Sequence, residues 1–326
     1  MVACCHTAVV LACFTCITGL AHAQGRSSDY PTRPIRVIIG IAPGGGLDTI
    51  TRVASQKLSE RIGQTAVVDN RPGGGTVLAS DLVQAAPPDG YTLLCASETI
   101  MLNGVLKRTK YDVRTAFVPI APISSQPYIL VVNPSVPVTT VKDLIAYAKA
   151  RPRALSFGTP GIGTMIHIGW ERLIAMTKID VVHVPYKGGA PAVIDLMSGE
   201  IQMVITTTIT AGPHMKSGKL KAIAMTGPKR LAILPDLPTI SESGLPGFEL
   251  TNSYAFFAPA GTPLAIVMKL NAALIQVMNA PETRKVLAND GAEAATPQTP
   301  GEFKARFARE YVELEKTIAG ANIKLQ

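Results

Sequence analysis

The chain alternates short apolar segments with amphipathic ones. In the first part of the chain the strand-like segments are 35–39, 66–68 and 91–94, and the helix-like segments between them are 50–62 and 76–86. Strand–helix–strand–helix–strand order predicts a parallel α/β sheet, because each helix carries the chain back to start the next strand. Ligands of such sheets bind beyond the carboxyl ends of the strands, where the glycine-rich turn 43–48 lies.

The middle of the chain repeats this plan. The predicted strands are 128–132, 154–157, 181–184 and 201–205, the predicted helices are 141–150, 165–177 and 190–198, and the segments from 262 onward are mainly helical. A strand at 221–225 could carry the chain back to the first lobe. We therefore predict two lobes on one α/β plan, the first formed by residues 30–123 plus 228–326 and the second by 124–227.

The N-terminus has the pattern of a secretory signal peptide. Residues 9–20 are apolar or small, no Lys, Arg, Asp or Glu precedes Arg26, and Ala21-His22-Ala23 is an A-x-A site. We predict a signal peptide at 1–23 and a mature protein in the periplasm. Two alternatives are a buried N-terminal segment and a lipoprotein attached through Cys13, for which the apolar run is very short. Four of the five cysteines lie in this leader, so Cys95 is expected to be a small buried hydrophobe.

The charge pattern argues against nucleic acid and favours small anions. The net charge is +8, yet the Lys and Arg residues are dispersed, without the basic run that is typical of nucleic-acid binding. The histidines after the leader, His167, His183 and His214, are far apart and have no cysteine partner, so neither a zinc site nor any cofactor is predicted. No apolar stretch after the leader approaches the length of a membrane span. We expect a monomer.

The candidate binding elements are the two glycine-rich turns at 43–48 and 158–164. Glycine lets backbone N–H groups approach a ligand closely, and the N-terminus of the following helix adds partial positive charge, so the pair suits a carboxylate or a phosphate. Alternatively, the glycines only make tight strand-to-helix turns. Neither turn has the third glycine of a dinucleotide fingerprint, and neither continues into Lys-Ser or Lys-Thr.

Side chains near these turns have both structural and functional interpretations. Asp48 is a candidate helix N-cap, and its functional alternative is to shape the first loop or to contact a ligand through water. His167 could face the cleft, whereas His183 is expected in the core. No nucleophile–base set is visible around Glu98 or elsewhere, so we predict no enzyme. The hydroxyl-rich run 206–210 could donate to a ligand or simply favour a strand. The predicted ligand-binding residues are Pro43, Gly44, Gly45, Gly46, Leu47, Asp48, Ser97, Glu98, Thr159, Pro160, Gly161, Ile162, Gly163, Thr164, His167, Thr206 and Thr207.

Seven short motifs occur in one collinear order. They are Tyr-Pro-Thr-Arg-Pro-Ile at 30–35, Pro-Gly-Gly at 43–45 with Asp48, Asn-Arg-Pro-Gly at 70–73, Pro-Asp-Gly-Tyr-Thr-Leu at 88–93, His-Val-Pro-Tyr-Lys-Gly-Gly-Ala-Pro at 183–191, Leu-Pro-Asp-Leu-Pro-Thr at 234–239 and Phe-Ala-Pro-Ala-Gly-Thr-Pro at 257–263. From about Tyr30 to the C-terminus the chain resembles the tripartite tricarboxylate transporter substrate-binding proteins, also called Bordetella uptake gene (Bug) receptors.

The resemblance implies a two-lobed periplasmic binding protein fold of type II-like form, with a mainly parallel sheet in each lobe and a ligand cleft between the lobes. It further implies a small organic carboxylate as ligand, held by backbone amides and ordered water in the loops that match 43–48 and 158–164. The implied partners are the membrane subunits of a tripartite transporter. Some members of the family instead feed a sensor system, and an exported hydrolase-like enzyme is a further alternative.

The chain departs from the family pattern around the expected cleft. Ala42 and Leu47 stand where a proline and a hydroxyl residue are usual, and Pro160 and Ile162 stand where Ser and Asn are frequent. Thr206 occupies a position that is often Asp. Because polar groups have been exchanged for apolar ones, we predict a carboxylate with an apolar or aromatic body rather than an amino acid such as aspartate.

Overall fold

The computed structural model describes residues 29–321 as two α/β lobes, each with its own mixed sheet. The signal peptide predicted at 1–23 lies outside these described residues. The strands of the first sheet are β1 (Ile35–Ile39), β2 (Ala66–Asn70), β3 (Thr92–Ser97), β4 (Phe117–Pro127), β10 (Thr251–Pro259) and β11 (Glu293–Ala294), in the spatial order β11-β4-β10-β3-β1-β2. Its helices are α1 (Gly46–Ile62), α2 (Val77–Gln84), α3 (Thr99–Val105), α4 (Val113–Ala116), α9 (Leu264–Asn279), α10 (Pro281–Asn289) and α11 (Pro300–Ala321).

The second sheet has the order β7-β6-β8-β5-β9. Its strands are β5 (Ile129–Val132), β6 (Ser156–Thr159), β7 (Val182–Pro185), β8 (Met203–Thr206) and β9 (Lys221–Met225), and its helices are α5 (Val141–Ala150), α6 (Met165–Thr177), α7 (Gly189–Ser198) and α8 (Thr208–Lys216). The bounds of α5, α6 and β9 are those that the apolar spacing predicts. Helix α8 was missed, because its threonines favour strands and Pro213 interrupts its sequence.

The two-lobed α/β fold is confirmed, but each sheet is mixed rather than mainly parallel. Strand β1 runs parallel to β2 and β3, and β6 runs parallel to β7 and β8. Strand β10 is antiparallel to both β3 and β4, and β5 is antiparallel to both β8 and β9. Strands β4, β5, β9 and β10, which adjoin the passages between the lobes, all take part in antiparallel pairs, as does the short edge strand β11.

The passages between the lobes differ from the sequence-based expectation. The passage from the first lobe to the second follows β4, which pairs within the first sheet as far as Pro127. Only Tyr128 separates β4 from β5. Strand β9 belongs to the second sheet, so β10 carries the chain back. Leu231, Leu234 and Leu237 pack on the second lobe, as do Ile240, Leu245, Phe248 and Leu250. We therefore propose lobe boundaries near Pro127 and Leu250 instead of 123 and 227.

Each sheet is covered on both faces by apolar side chains. In the first lobe one face packs on α1 and α9 and the other on α3 and α11, and two further clusters enclose the second sheet. Cys95 is fully buried in β3, as predicted. No single described helix is long and apolar enough to cross a membrane, and although α9 and α10 pass that test together, they meet at a bend of 64°. This packing fixes the strand ends that carry the site.

Candidate functional site

A cavity between the two lobes is lined by the N-terminal ends of helices α1 and α3 from the first lobe and of helices α6, α7 and α8 from the second. Its volume is about 60 Å³. The lining residues are Ile41, Gly45, Gly46, Leu47, Thr76, Ser97, Thr99, Tyr128, Pro160, Thr164, Met165, Ile166, Gly189, Thr206, Thr207, Thr210, Asn252 and Tyr254.

Helix α1 presents free backbone donors to this cavity. Its N-cap is Gly45, which has no side chain to satisfy the first turn, and the amides of Gly46 and Leu47 have no acceptor among the described residues. Asp48 does not reach the cavity. Its carboxylate accepts from the Gly44 amide at 3.0 Å, from Arg52 and from Asn70. Burial raises the pKa of Asp48, but these bonds outweigh it and lower the pKa overall, so the group stays ionised and shapes the loop.

Helix α7 meets α1 from the opposite lobe. Its N-cap is also a glycine, Gly188, and has no side-chain cap. The Ala42 amide donates to the Lys187 carbonyl across the cleft at 2.9 Å, which brings the two glycine turns together. Glycine is required at Gly188, where φ is +156° and a Cβ would lie 3.1 Å from the Ala42 nitrogen. Uncapped helix N-termini therefore face the cavity from both lobes.

The second predicted loop, 158–164, is built differently from the first. The Gly161 amide donates to Thr159 Oγ1, and the Gly163 amide donates to Nδ1 of His167 at 3.1 Å. Thr159 Oγ1 also bonds Nε2 of His183 at 2.7 Å, and the two imidazole rings are stacked with centroids 4.2 Å apart. Two of its amides are thus used to hold the loop itself, and Pro160 and Thr164 are its members that line the cavity.

His167 is a buried support of this loop rather than a cavity group. Its side chain is 2% exposed, and because Nδ1 accepts from Gly163, the neutral ring carries its proton on Nε2, 3.6 Å from Glu171. Burial, followed by the charges of His183 and Arg108, lowers the pKa of His167 to about 4. The ring is therefore neutral at physiological pH and does not supply a cation to a ligand.

The helices α6 and α8 are capped by threonines that also line the cavity. Thr164 Oγ1 accepts from the His167 amide, and Thr207 Oγ1 accepts from the Thr210 amide while bonding Thr210 Oγ1 at 2.9 Å. This is the standard role of a threonine N-cap. Within the hydroxyl-rich run, Thr206 ends β8, whereas Thr207 caps helix α8 and the following threonines lie in that helix rather than in a longer strand. Thr206, Thr207 and Thr210 line the cavity.

Tyr254 brings a phenolic hydroxyl to the end of α1. Its oxygen accepts from Gln126 Nε2 at 3.3 Å, so its proton is available for another acceptor. A Cβ on Gly46 would lie 3.0 Å from this hydroxyl, which places it beside the free amides of the first turn. Burial raises the pKa of Tyr254 well above its usual value, so the group remains a donor. Gly46, Leu47 and Tyr254 form a cluster of donors suited to an anionic oxygen.

No described residue that lines the cavity carries a charged side chain. Its polar groups are hydroxyls, one amide side chain and backbone amides, and its apolar walls come from Ile41, Leu47, Pro160, Met165 and Ile166. Positive potential comes from helix N-termini, which favour a negative group beside them. The arrangement can hold a carboxylate and enclose an uncharged body, and nothing in this lining would pair with an ammonium group.

Of the residues predicted for the site, the structure places Gly45, Gly46, Leu47, Ser97, Pro160, Thr164, Thr206 and Thr207 in the cavity lining, whereas Pro43, Gly44, Asp48, Glu98, Thr159, Gly161, Ile162, Gly163 and His167 lie outside it. Glu98 faces a separate groove on the α11 side, where its carboxylate accepts from Ser253. Burial raises the pKa of Glu98 to about 7. The side chain of Ile162 is 38% exposed outside the cavity.

Sequence reasoning missed residues that arrive from distant segments. These are Ile41, Thr76, Thr99, Tyr128, Met165, Ile166, Gly189, Thr210, Asn252 and Tyr254. Asn252 and Tyr254 lie on β10, whose position between β3 and β4 no local pattern indicates. Gly189 had a usable signal, because it opens a helix after a strand in the same way as Gly46.

Residues 50–322 match the sequence pattern of the tripartite tricarboxylate transporter family receptor. The chain is also similar to solved structures. The periplasmic binding protein BugD is 30% identical, with a TM-score of 0.87, and the match covers 91% of this chain and 100% of BugD.

Two further similar structures contain bound carboxylates. A protein from R. palustris solved with adipate is 35% identical, with a TM-score of 0.86, and the match covers 90% of this chain and 99% of that protein. MatC from Rhodopseudomonas palustris, solved with bound malate, is 28% identical, with a TM-score of 0.84, and the match covers 89% of this chain and all of MatC.

Proposed function

Since this chain belongs to the tripartite tricarboxylate transporter receptor family, whose members are solute-binding receptors and not enzymes, we propose that it captures a small organic carboxylate with an apolar or aromatic body. The observation that carries the proposal is the cavity lining. Free amides of α1 and the Tyr254 hydroxyl supply donors to a carboxylate, and no described lining side chain is charged. The adipate and malate bound by similar proteins support the carboxylate.

The body of the ligand is inferred from the walls of the cavity. Leu47 and Pro160 line it at positions where the family usually has polar residues, and Met165 adds a flexible apolar wall. An ammonium group placed there would lose its hydration without gaining an anionic partner, which costs several kcal/mol. Amino acids are therefore disfavoured relative to carboxylates with hydrocarbon bodies.

We further propose that the receptor acts as a monomer in the periplasm after removal of residues 1–23 and delivers its ligand to the membrane subunits of a tripartite transporter. Mass spectrometry of the protein from the periplasmic fraction tests the processing, with Gln24 expected as the first residue. Capture of the membrane subunits by the ligand-loaded receptor tests the delivery.

Ligand class is tested by thermal unfolding in the presence of adipate, benzoate, malate, aspartate and glutamate. A ligand at one hundred times its Kd raises the free energy of unfolding by about 2.7 kcal/mol. We expect this increase for adipate or benzoate and none for the two amino acids. If aspartate or glutamate stabilised the protein more than adipate and benzoate do, the apolar preference would be wrong. If no carboxylate stabilised the protein, the carboxylate proposal would be refuted.

A further inference from the structure

Arg108, which follows helix α3 in the first lobe, spans the cleft outside the cavity. Its Nη1 donates to the Ile162 carbonyl of the second lobe at 2.7 Å, and its Nη2 donates to the Gly74 carbonyl of its own lobe at 3.0 Å. The residue is absent from the cavity lining. One guanidinium group therefore bridges both lobes beside the cavity without lining it.

The guanidinium is held in place by its own lobe. Nη1 also donates to the side-chain oxygen of Asn103 at 3.3 Å, and the Arg108 amide donates to the Asn103 carbonyl at 2.9 Å. Asn103 in turn donates to the Gly75 carbonyl and to Thr76 Oγ1, and Thr76 lines the cavity. Because several bonds lie within the first lobe, little side-chain freedom is lost when the second lobe arrives.

Glycines on both lobes leave room for the guanidinium group. A Cβ on Gly163 would lie 2.0 Å from Arg108 Nη1, and a Cβ on Gly75 would lie 2.6 Å from the same atom. Both residues also have positive φ, +72° and +60°. The second glycine-rich loop is thus shaped on one side by His167 and on the other by Arg108, and its Gly163 packs against this arginine while Pro160 and Thr164 line the cavity.

We propose that Arg108 is the positioning residue that latches the two lobes in the closed state, so that it sets how long a ligand stays bound without contacting it. The latch acts on closure of the cleft and does not depend on which carboxylate occupies the cavity. In the open state Arg108 keeps its bonds to Gly74 and Asn103, while the Ile162 carbonyl is satisfied by water. Loss of the hydrogen bond from Arg108 to the Ile162 carbonyl therefore destabilises the closed state and leaves the open state unchanged.

The matched control is Arg172 on α6. It also donates to two backbone carbonyls, those of Gly247 at 2.6 Å and Glu249 at 3.2 Å, and both lie in a segment that packs on its own lobe. Arg108→Ala and Arg172→Ala remove the same chemistry, one across the cleft and one within the second lobe. Adipate serves as the probe, with binding measured by stopped-flow and calorimetry.

We expect Arg108→Ala to raise the Kd for adipate about 10- to 100-fold, as for a hydrogen bond from a charged donor, through a faster off-rate with an unchanged on-rate. Arg172→Ala should keep the wild-type off-rate even if it unfolds at lower temperature. Equal off-rates in the two variants, or a loss confined to the on-rate, would overturn the latch.

Closure is read directly by spin labels at Leu82→Cys and Ile194→Cys, two exposed positions on opposite lobes. Pulsed electron resonance distances are recorded with and without 10 mM adipate. We expect the closed distance to lose population in Arg108→Ala and to persist in Arg172→Ala. The proposal fails if wild type shows no closed population under either condition, or if Arg108→Ala closes as fully as wild type.

Discussion

Replacement of Gly46 by alanine tests whether the two lobes close on the first turn of α1. A Cβ at this position would lie 2.7 Å from Thr207 Oγ1 and 2.9 Å from Thr207 Cγ2, across the cleft, and 3.0 Å from the Tyr254 hydroxyl. Ordinary contacts of a methyl group begin near 3.4 Å. Thr207 is 4% exposed and is held by its bonds to Thr210, so it cannot turn aside freely.

The magnitude follows from this geometry. Overpacking of a closed, buried contact costs about 1–3 kcal/mol. Most of the cost falls on the closed state, because the open lobes separate Gly46 from Thr207, whereas the looser contact with Tyr254 lies within the first lobe. At 1.4 kcal/mol for each factor of ten, ligand affinity should fall about 5- to 150-fold. The fold itself should not suffer, since alanine in a helix is favoured over glycine by up to about 1 kcal/mol.

The control is Gly212→Ala on α8, where an added Cβ meets nothing within 4 Å. Alanine raises the helix propensity at both positions, but only at Gly46 does the added methyl group enter the cleft. Affinity is measured by calorimetry with the carboxylate that gives the largest thermal shift, and stability by urea unfolding without ligand. If Gly46→Ala binds as tightly as Gly212→Ala, the closed geometry at the end of α1 is incorrect.

Further predictions concern the donor cluster, the second loop and pH. Tyr254→Phe should raise the ligand Kd about tenfold or more in calorimetry, because one donor to the carboxylate is lost, and unchanged affinity would remove the tyrosine from the site. Gly163→Val should abolish ligand-induced thermal stabilisation while the fold survives, since its Cβ would collide with Arg108, and intact binding would contradict the loop geometry. Glu98 has a native pKa of about 7, above its usual 4.5, so the native state binds more protons than the unfolded state and stability declines as pH rises between these values. In urea unfolding, the free energy of unfolding of Glu98→Gln should not show this decline, so that its change between pH 4.5 and 7 differs from that of wild type by about 3 kcal/mol. Parallel pH profiles for the two proteins would refute this role of Glu98. His167 acts in the opposite sense, because burial lowers its pKa from 6.5 to about 4. Its contribution to the free energy of unfolding is therefore lost as pH falls from 6.5 to 4, and His167→Asn should lack this pH dependence.

The amino-acid sequence by itself determined the local plan of the protein. Eight strand segments and the bounds of helices such as α5 and α6 follow from the apolar spacing of neighbouring residues, whereas β4, β10, α3 and α8 were not predicted. The turns at 43–48 and 158–164 follow from their glycines. The first turn could be recognised as a donor site because a glycine N-cap leaves its amides free wherever the helix is placed. These features need no knowledge of distant contacts.

The tertiary structure decided which of these residues meet. Strand β10 enters the first sheet between β3 and β4 and brings Tyr254 to the cavity, an outcome of long-range pairing that local patterns do not encode. His167 and Asp48 were both among the predicted ligand-binding residues, but in the structure both are hydrogen-bonded to the loops they support. No sequence motif marks Arg108, because its contacts depend on carbonyl groups of two lobes that lie within reach of one guanidinium group.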